Sequence, residues 1–253
     1  MRWLWVLLLL AAPGWLSALA PPARAQPEEP LVTRLSLDRV EVSTTFDGAS
    51  ILVYGSTAQP IGPGGAEILI VTRGPEQSFT VRRKVRVLGL WFNGPSARFL
   101  DIPAFYSVAG TLPAWRLLPE ALRGAFSLGL DMLPMESTGA RAPQFRAALL
   151  ELKQQTGMWQ EDAAPVEIDA NRLFSSRLPL PATIPAGEYR VQVLLVQSRR
   201  VVARQEMTFL VERVGTAATI ADVARYQPLL YGVICVLLAA LAGWLGSVVF
   251  RRG

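Results

Sequence analysis

The segment from Leu229 to Phe250, LLYGVICVLLAALAGWLGSVVF, runs for 22 residues without a formal charge. At about 1.5 Å of rise per residue a helix of this length spans about 33 Å, enough to cross a hydrocarbon core of roughly 30 Å. Arg225 stands before it, and Arg251 and Arg252 follow directly. A buried core helix can be as apolar but is rarely as long. The segment is therefore expected to be a single transmembrane helix over 229–250, with a juxtamembrane piece over 214–228 and a cytoplasmic tail over 251–253.

The N-terminus predicts which side the rest occupies. Met1-Arg2 is a minimal positive region, Trp3 to Leu10 is an apolar run, and Ala18-Leu19-Ala20 and Ala23-Arg24-Ala25 are small-x-small cleavage sites. The second is the better, because cutting after Ala20 would leave Pro21 beside the scissile bond. An uncleaved anchor is the alternative, but Pro13, Gly14, Pro21 and Pro22 interrupt the run. Residues 1–25 are thus expected to be a signal peptide removed before Gln26. Export of the middle, with Arg251 and Arg252 left inside, agrees with the positive-inside bias.

Cys235, the only cysteine, lies within the apolar segment, so the exported part has no disulfide to rely on. A bacterial periplasm fits such a domain better than a eukaryotic secretory route, with the anchor in the inner membrane. Two lysines, Lys84 and Lys153, stand against 23 arginines, a bias attributable to coding. The net charge of +5 is modest, with no basic tail, and an exported location argues against nucleic acid as a partner.

Histidine is absent, which removes Ser-His-Asp and Cys-His nucleophile systems and most zinc sites. No phosphate- or dinucleotide-binding glycine motif occurs. Glu28-Glu29 lies in a proline-rich linker and Glu161-Asp162 in a loop, where neighbouring carboxylates are usually solvated. The expectation is a protein without catalytic residues, metal or cofactor, and not an enzyme.

Between the two apolar ends, period-two patterning predicts strands over Leu35–Leu37, Val40–Val42, Ile51–Tyr54, Ile68–Val71, Val81–Val87 and Phe99–Val108. Ile51–Tyr54 and Ile68–Val71 are continuously apolar, as in strands covered on both faces. Asn93-Gly94 signals a turn. From Pro113 to Gln160 the spacing becomes helical, with Leu117, Leu118, Ala121 and Leu122 and then Phe145, Ala148, Leu149 and Leu152. Pro143 suits the second helix's first turn and Gly157 its stop. The strand pattern resumes at Val166. Pro185-x-Gly187-x-Tyr189 then resembles the tyrosine corner of immunoglobulin-like sandwiches, and Gln197–Arg200 can turn the chain into Val201–Val211. The predicted fold is mainly β: an immunoglobulin-like β-sandwich over 26–112 and 165–213, with a helical insertion over 113–164. The insertion is either a cap on the sandwich or a small domain, and its short apolar faces favour the cap.

Two surfaces are candidates for function. Strand alternation places Arg82, Lys84 and Arg86 on one face with Trp91 nearby. This is either a solvated basic face that discourages edge pairing or a patch for an anion, an acidic partner or anionic headgroups. Within the apolar helix, Ala239, Gly243 and Ser247 recur every four residues beside Ala242 and Gly246. Such a stripe lets another helix approach closely, in a partner or a second copy, although small residues are common in membrane helices anyway.

Marks distributed over nearly all of the mature chain carry a family resemblance: Arg73-Gly74-Pro75, Val81-Arg82-Arg83-Lys84, Gly89-x-Trp91-x-Asn93, Leu128-Gly129-Leu130-Asp131, Phe145-Arg146-Ala147-Ala148, Leu173-Phe174, Pro185-x-Gly187-x-Tyr189, Leu230-Tyr231-Gly232, and Gly243-Trp244 through to Phe250-Arg251-Arg252. In these the chain resembles an uncharacterised family of alphaproteobacterial transmembrane proteins with one exported domain and a C-terminal anchor. The resemblance implies no activity, cofactor or catalytic residue, and suggests a permease of the sulfite-exporter type as partner. Two functions are expected to compete: an accessory or interaction subunit of such a permease, contacting the lipid bilayer and a membrane protein, and a periplasmic module binding an anion or acidic ligand through Arg82, Lys84, Arg86 and Trp91.

Overall fold

The computed structural model describes residues 29–139, 143–161, 165–215 and 223–250. The expected signal peptide, its cleavage site and the tail over 251–253 lie outside the described residues.

Alternating side chains assemble two main sheets. The first is antiparallel in the order β1 (Leu31–Leu35), β3 (Gly48–Thr57), β11 (Leu173–Pro181), β10 (Glu167–Asp169). The second runs β2 (Arg39–Val42), β13 (Arg200–Arg213), β12 (Gly187–Gln197), β4 (Glu67–Arg73), β7 (Tyr106–Gly110), β9 (Trp159–Gln160), with parallel pairing only at its two edges. Ile51, Val53, Leu178 and Leu180 of the first sheet join Ile70, Val191 and Val193 of the second in one core. Full burial of each such side chain is worth about 1.5–3 kcal/mol, which holds the sheets together. Gln205 Oε1 on β13 accepts from Thr33 N and Oγ1 on β1 at 3.0 and 2.8 Å, a polar strut between the layers. The architecture is mainly β and sandwich-like, with few helices.

Ile68–Val71 of β4 is buried on both faces, as its apolar run predicts. Ile51–Tyr54 of β3 is not. Ile51 and Val53 are buried, but Tyr54 is exposed, because the outer face of the first sheet is uncovered. The outer face of the second sheet is covered by the insertion over β4 and its neighbours, while Val202, Arg204, Glu206 and Thr208 of β13 stay exposed. The insertion contains α1 (Ala114–Leu117), α2 (Glu120–Phe126) and α3 (Pro143–Gln155), and its Leu117, Leu118, Leu128, Phe145 and Leu149 enter the common core. Helix α3 begins at Pro143, and the chain leaves it through Gly157 at φ +68°. The insertion is thus a layer sharing the sandwich core.

The predicted strand Phe99–Val108 breaks at Ala104-Phe105 into two. The first part belongs to a third sheet, β5 (Glu76–Val87), β6 (Leu90–Pro103) and β8 (Ser137–Gly139). Helix α4 (Pro228–Phe250) matches the apolar segment, and no residue of its 20-residue candidate span is buried.

Candidate functional site

Strands β5 and β6 form a hairpin that grows out of the second sheet. β4 continues into β5 through Gly74-Pro75, and β6 into β7 through Ala104-Phe105. Backbone bonds from Gly74 N to Phe105 O (2.8 Å) and Ala104 N to Pro75 O (2.9 Å) carry the ladder across. The root is clamped on the tyrosine corner, where Tyr189 Oη donates to Pro185 O at 2.7 Å. A Cβ on Gly74 would lie 2.8 Å from Tyr189 Cε1, and one on Gly187 would lie 2.8 Å from Pro75 Cγ. Side chains at either position would push the hairpin off its seat.

Twelve residues at about 3.3 Å give β5 a length of about 40 Å. β6 has two more residues than β5, and the register shifts twice, between Gln77 and Phe79 and between Arg82 and Lys84. These are bulges, which increase strand twist. The second absorbs Gly94-Pro95, so Asn93-Gly94 is not the hairpin turn. That turn is Leu88-Gly89, with φ +50° and +84°. Two residues at positive φ match the twist of a two-residue hairpin, a conformation glycine takes freely and leucine does not.

The hairpin's two halves differ in environment. Near the root, Phe79 and Val81 pack with buried Ala97 and Phe99 into the core. Lys153 of α3 enters this half, 7% exposed, with Nζ 3.5 Å from the Phe79 ring centroid and donating to Ala104 O at 3.2 Å. Desolvation lowers its pKa from 10.5 to about 8. The distal half is uncovered. Leu88 is 98% and Trp91 66% exposed, and Val87, Leu90 and Phe92 are exposed beside them.

Pairing fixes the faces. Arg82 lies opposite Ser96, Lys84 opposite Asn93 and Arg86 opposite Trp91, so the four candidate residues do share one face. The Arg86 guanidinium lies 6.0 Å from the Trp91 ring centroid and its Nε donates to Gly89 O at 3.3 Å. Among the described residues, Arg82, Lys84 and Arg86 form no ion pair. From Gln77 to Leu100 the hairpin holds five cations, Arg82, Arg83, Lys84, Arg86 and Arg98, and no carboxylate. That excess equals the net charge of the whole chain, +5.

Sequence reasoning found the basic face and missed the apolar end. The signal was present in Val87-Leu88-Gly89-Leu90-Trp91-Phe92, an apolar run around a glycine. It was obscured by the stronger turn signal of Asn93-Gly94.

Two clefts lie elsewhere. One, of about 430 Å³, is lined by Arg73 and Arg190 with Glu76, Asp101 and Glu188. Its arginines are committed. Arg73 Nη2 donates to Phe126 O and Ser127 O, and Arg190 pairs with Glu206 at 2.8 Å. Desolvation lowers the Arg73 pKa. Tyr106 Oη donates to Ser127 O at 3.0 Å and accepts from Gly129 N at 2.8 Å, and burial raises its pKa to about 12. Arg73 and Tyr106 together fix the C-terminal cap of α2, where Ser127 takes φ +49°. The second cleft, of about 270 Å³, has Trp115 and Arg123 at its wall; Arg123 pairs with Asp131 at 2.9 Å, and Glu161 Oε1 accepts from Leu130 N. In the first cleft Arg73 holds the loop after α2 and Arg190 bridges β12 and β13; in the second, Arg123 and Glu161 hold the loop at Leu130-Asp131.

On α4, Ala239, Ala242, Gly243 and Ser247 are exposed and Gly246 half-buried, and a Cβ on Gly243 or Gly246 would meet nothing within 4 Å. The stripe is open along the helix.

A comparison with curated proteins finds no match. A family model described as "Putative transmembrane protein (Alph_Pro_TM)" matches residues 30–252, from the first strand of the sandwich through the apolar helix α4. The chain belongs to this alphaproteobacterial transmembrane protein family.

Proposed function

We propose that the protein is a single-pass component of a bacterial inner membrane whose sandwich stands in the periplasm and serves as an accessory subunit for a membrane-protein partner. The observation that carries this reading is the hairpin, a projecting arm whose apolar end is left exposed by the described residues. Apolar surface left open at the end of an arm marks interaction rather than a self-contained fold. The open stripe on α4 supplies a second contact inside the bilayer. A permease of the sulfite-exporter type is the partner class that the family resemblance suggests. Purification of the full chain in mild detergent should retain an integral membrane protein, identified by mass spectrometry, and Gly243→Leu should release it. A monomer with no retained protein, unchanged by Gly243→Leu, would overturn the proposal.

A second reading, a module for a small anion or acidic ligand, is favoured by the shared unpaired face of Arg82, Lys84 and Arg86. Ligand sites are concave, however, and this face is an open strand surface. An extended charged array suits an extended partner better than a small one.

A further inference from the structure

We propose that the β5–β6 hairpin is a second membrane contact, its tip entering the headgroup–acyl boundary of an anionic leaflet while the cations behind it meet lipid headgroups. The inference rests on the reading of the hairpin as an interaction surface, but it assigns the tip to lipid and leaves the protein partner to the rest of the arm and the α4 stripe.

Topology gives the first argument. β12 is antiparallel to both β4 and β13, so β4 and β13 run the same way. β4 leaves the sheet at Arg73 into the hairpin. β13 leaves it at Arg213 into the segment leading to α4. The two exits lie toward the same end, two strand spacings or about 10 Å apart across the sheet, with Arg73 level with Thr208 and Arg213 about 17 Å further along. The arm and the tether therefore leave the sandwich toward the same end. The opposite end carries the Ser198-Arg199 turn between β12 and β13.

Chemistry gives the second. At the tip Val87 and Leu90, and next Val85 and Phe92, pair on one face, while Trp91 stands on the other with Leu88 at the apex. A protein surface would cover one side of such a tip. Lipid surrounds it, and tryptophan favours the interface between water and hydrocarbon. Behind the tip, Lys84 lies four residues from Leu88, about 13 Å along the strand, and Arg82 and Arg98 lie further back. A tip dipping about 5–10 Å below the headgroups would bring Lys84 within reach of the lipid phosphates, while Arg82, about 20 Å from the apex, and Arg98, opposite Thr80 and about 26 Å from it, would feel the anionic surface at longer range. Arg86, nearest the apex, donates to Gly89 O in the turn and would have to release that bond to reach back to the same layer. Leucine at the apex lies in the left-handed region, where asparagine would relieve the backbone, and its exposed side chain is free for an apolar contact.

The test uses the full chain with Cys235→Ser, carrying an environment-sensitive fluorophore at Leu88→Cys or at Ser198→Cys, in nanodiscs of phosphatidylcholine alone or equimolar with phosphatidylglycerol. The label at 88 should shift to the blue and be quenched by lipid-borne nitroxides in the anionic discs, and the label at 198 should stay open to aqueous iodide. Arg82→Glu with Lys84→Glu should lower the inserted population about tenfold or more, and phosphatidylcholine alone should also weaken insertion. Equal iodide access at 88 and 198 in every lipid would overturn the inference. So would protection of 88 that appears only when another protein is present, which would make that protein the occupant. Failure here with a partner still retained through α4 leaves the accessory reading standing, and loss of the partner with 88 still in lipid overturns that reading alone.

Discussion

Lys153 shows how a single side chain can be placed against its own preference. Phe145, Leu149 and Lys153 lie at i, i+4 and i+8 on α3, so the stripe that buries the first two carries the lysine inward, while Leu152 remains exposed. Its surroundings are the Phe79 ring, the Trp159 ring at 5.9 Å and the Ala104 carbonyl, and among the described residues it has no carboxylate partner. These parts come from distant points of the chain, so helical spacing alone favours Leu152 for the core. Desolvation lowers the folded pKa to about 8 against 10.5 in the unfolded chain. Below about pH 8 both states are protonated and the cost of burying the charge is fully present. Between there and pH 10.5 the unfolded chain holds more protons, so stability rises with pH, by at most about 3 kcal/mol. The contact with the Phe79 face offsets part of that cost. Above about pH 10, Tyr106 and Tyr189, both raised by burial, reverse the trend because the unfolded chain ionises first. Urea midpoints of the full chain in detergent should therefore climb from pH 8 to about pH 10, and Lys153→Met should flatten that climb. An equal climb in the variant would assign the effect to other groups.

At the scale of elements, what the sequence made legible depended on how local the deciding physics is. The strand character of β4, the corner at Tyr189, the start of α3 at Pro143 and the Ser198-Arg199 turn all follow from neighbours within a few residues. β3 was misjudged on its outer face because coverage depends on which layer the insertion chooses. The hairpin was misjudged because two turn signals compete, and the bulge at Gly94-Pro95 consumes the stronger one. The turn with the weaker sequence signal is thus the one used. Leu88→Asn should relieve the left-handed backbone, stabilising the hairpin by about 0.5–1 kcal/mol, while removing the apex side chain from any apolar contact. A raised urea midpoint together with a smaller inserted population, followed from a label at Leu90→Cys in the Cys235→Ser background, is the expected pair of results. A variant that is more stable and inserts fully would show that the apex leucine has no part in the contact.

At the scale of the whole molecule, the sandwich and α4 are built from separate energetics. The sandwich is held by burial between its own sheets and the insertion, whereas no residue of the candidate span is buried against anything in the chain. What α4 gains must come from lipid or from another helix. Substitutions in the two parts should then act independently, since sites without shared contacts add to within about 0.3–0.5 kcal/mol. Gly243→Leu places a large side chain where a Cβ meets nothing within 4 Å, so it should leave the urea midpoint of the sandwich unchanged. Its effect should fall on association instead, because a leucine on the stripe keeps a neighbouring helix from close approach. Combined with Leu88→Asn, it should show the sum of the two single effects on stability. A midpoint displaced by Gly243→Leu alone would mean that the anchor and the sandwich are coupled, and that hairpin and helix act as one device rather than as two attachments of a single body.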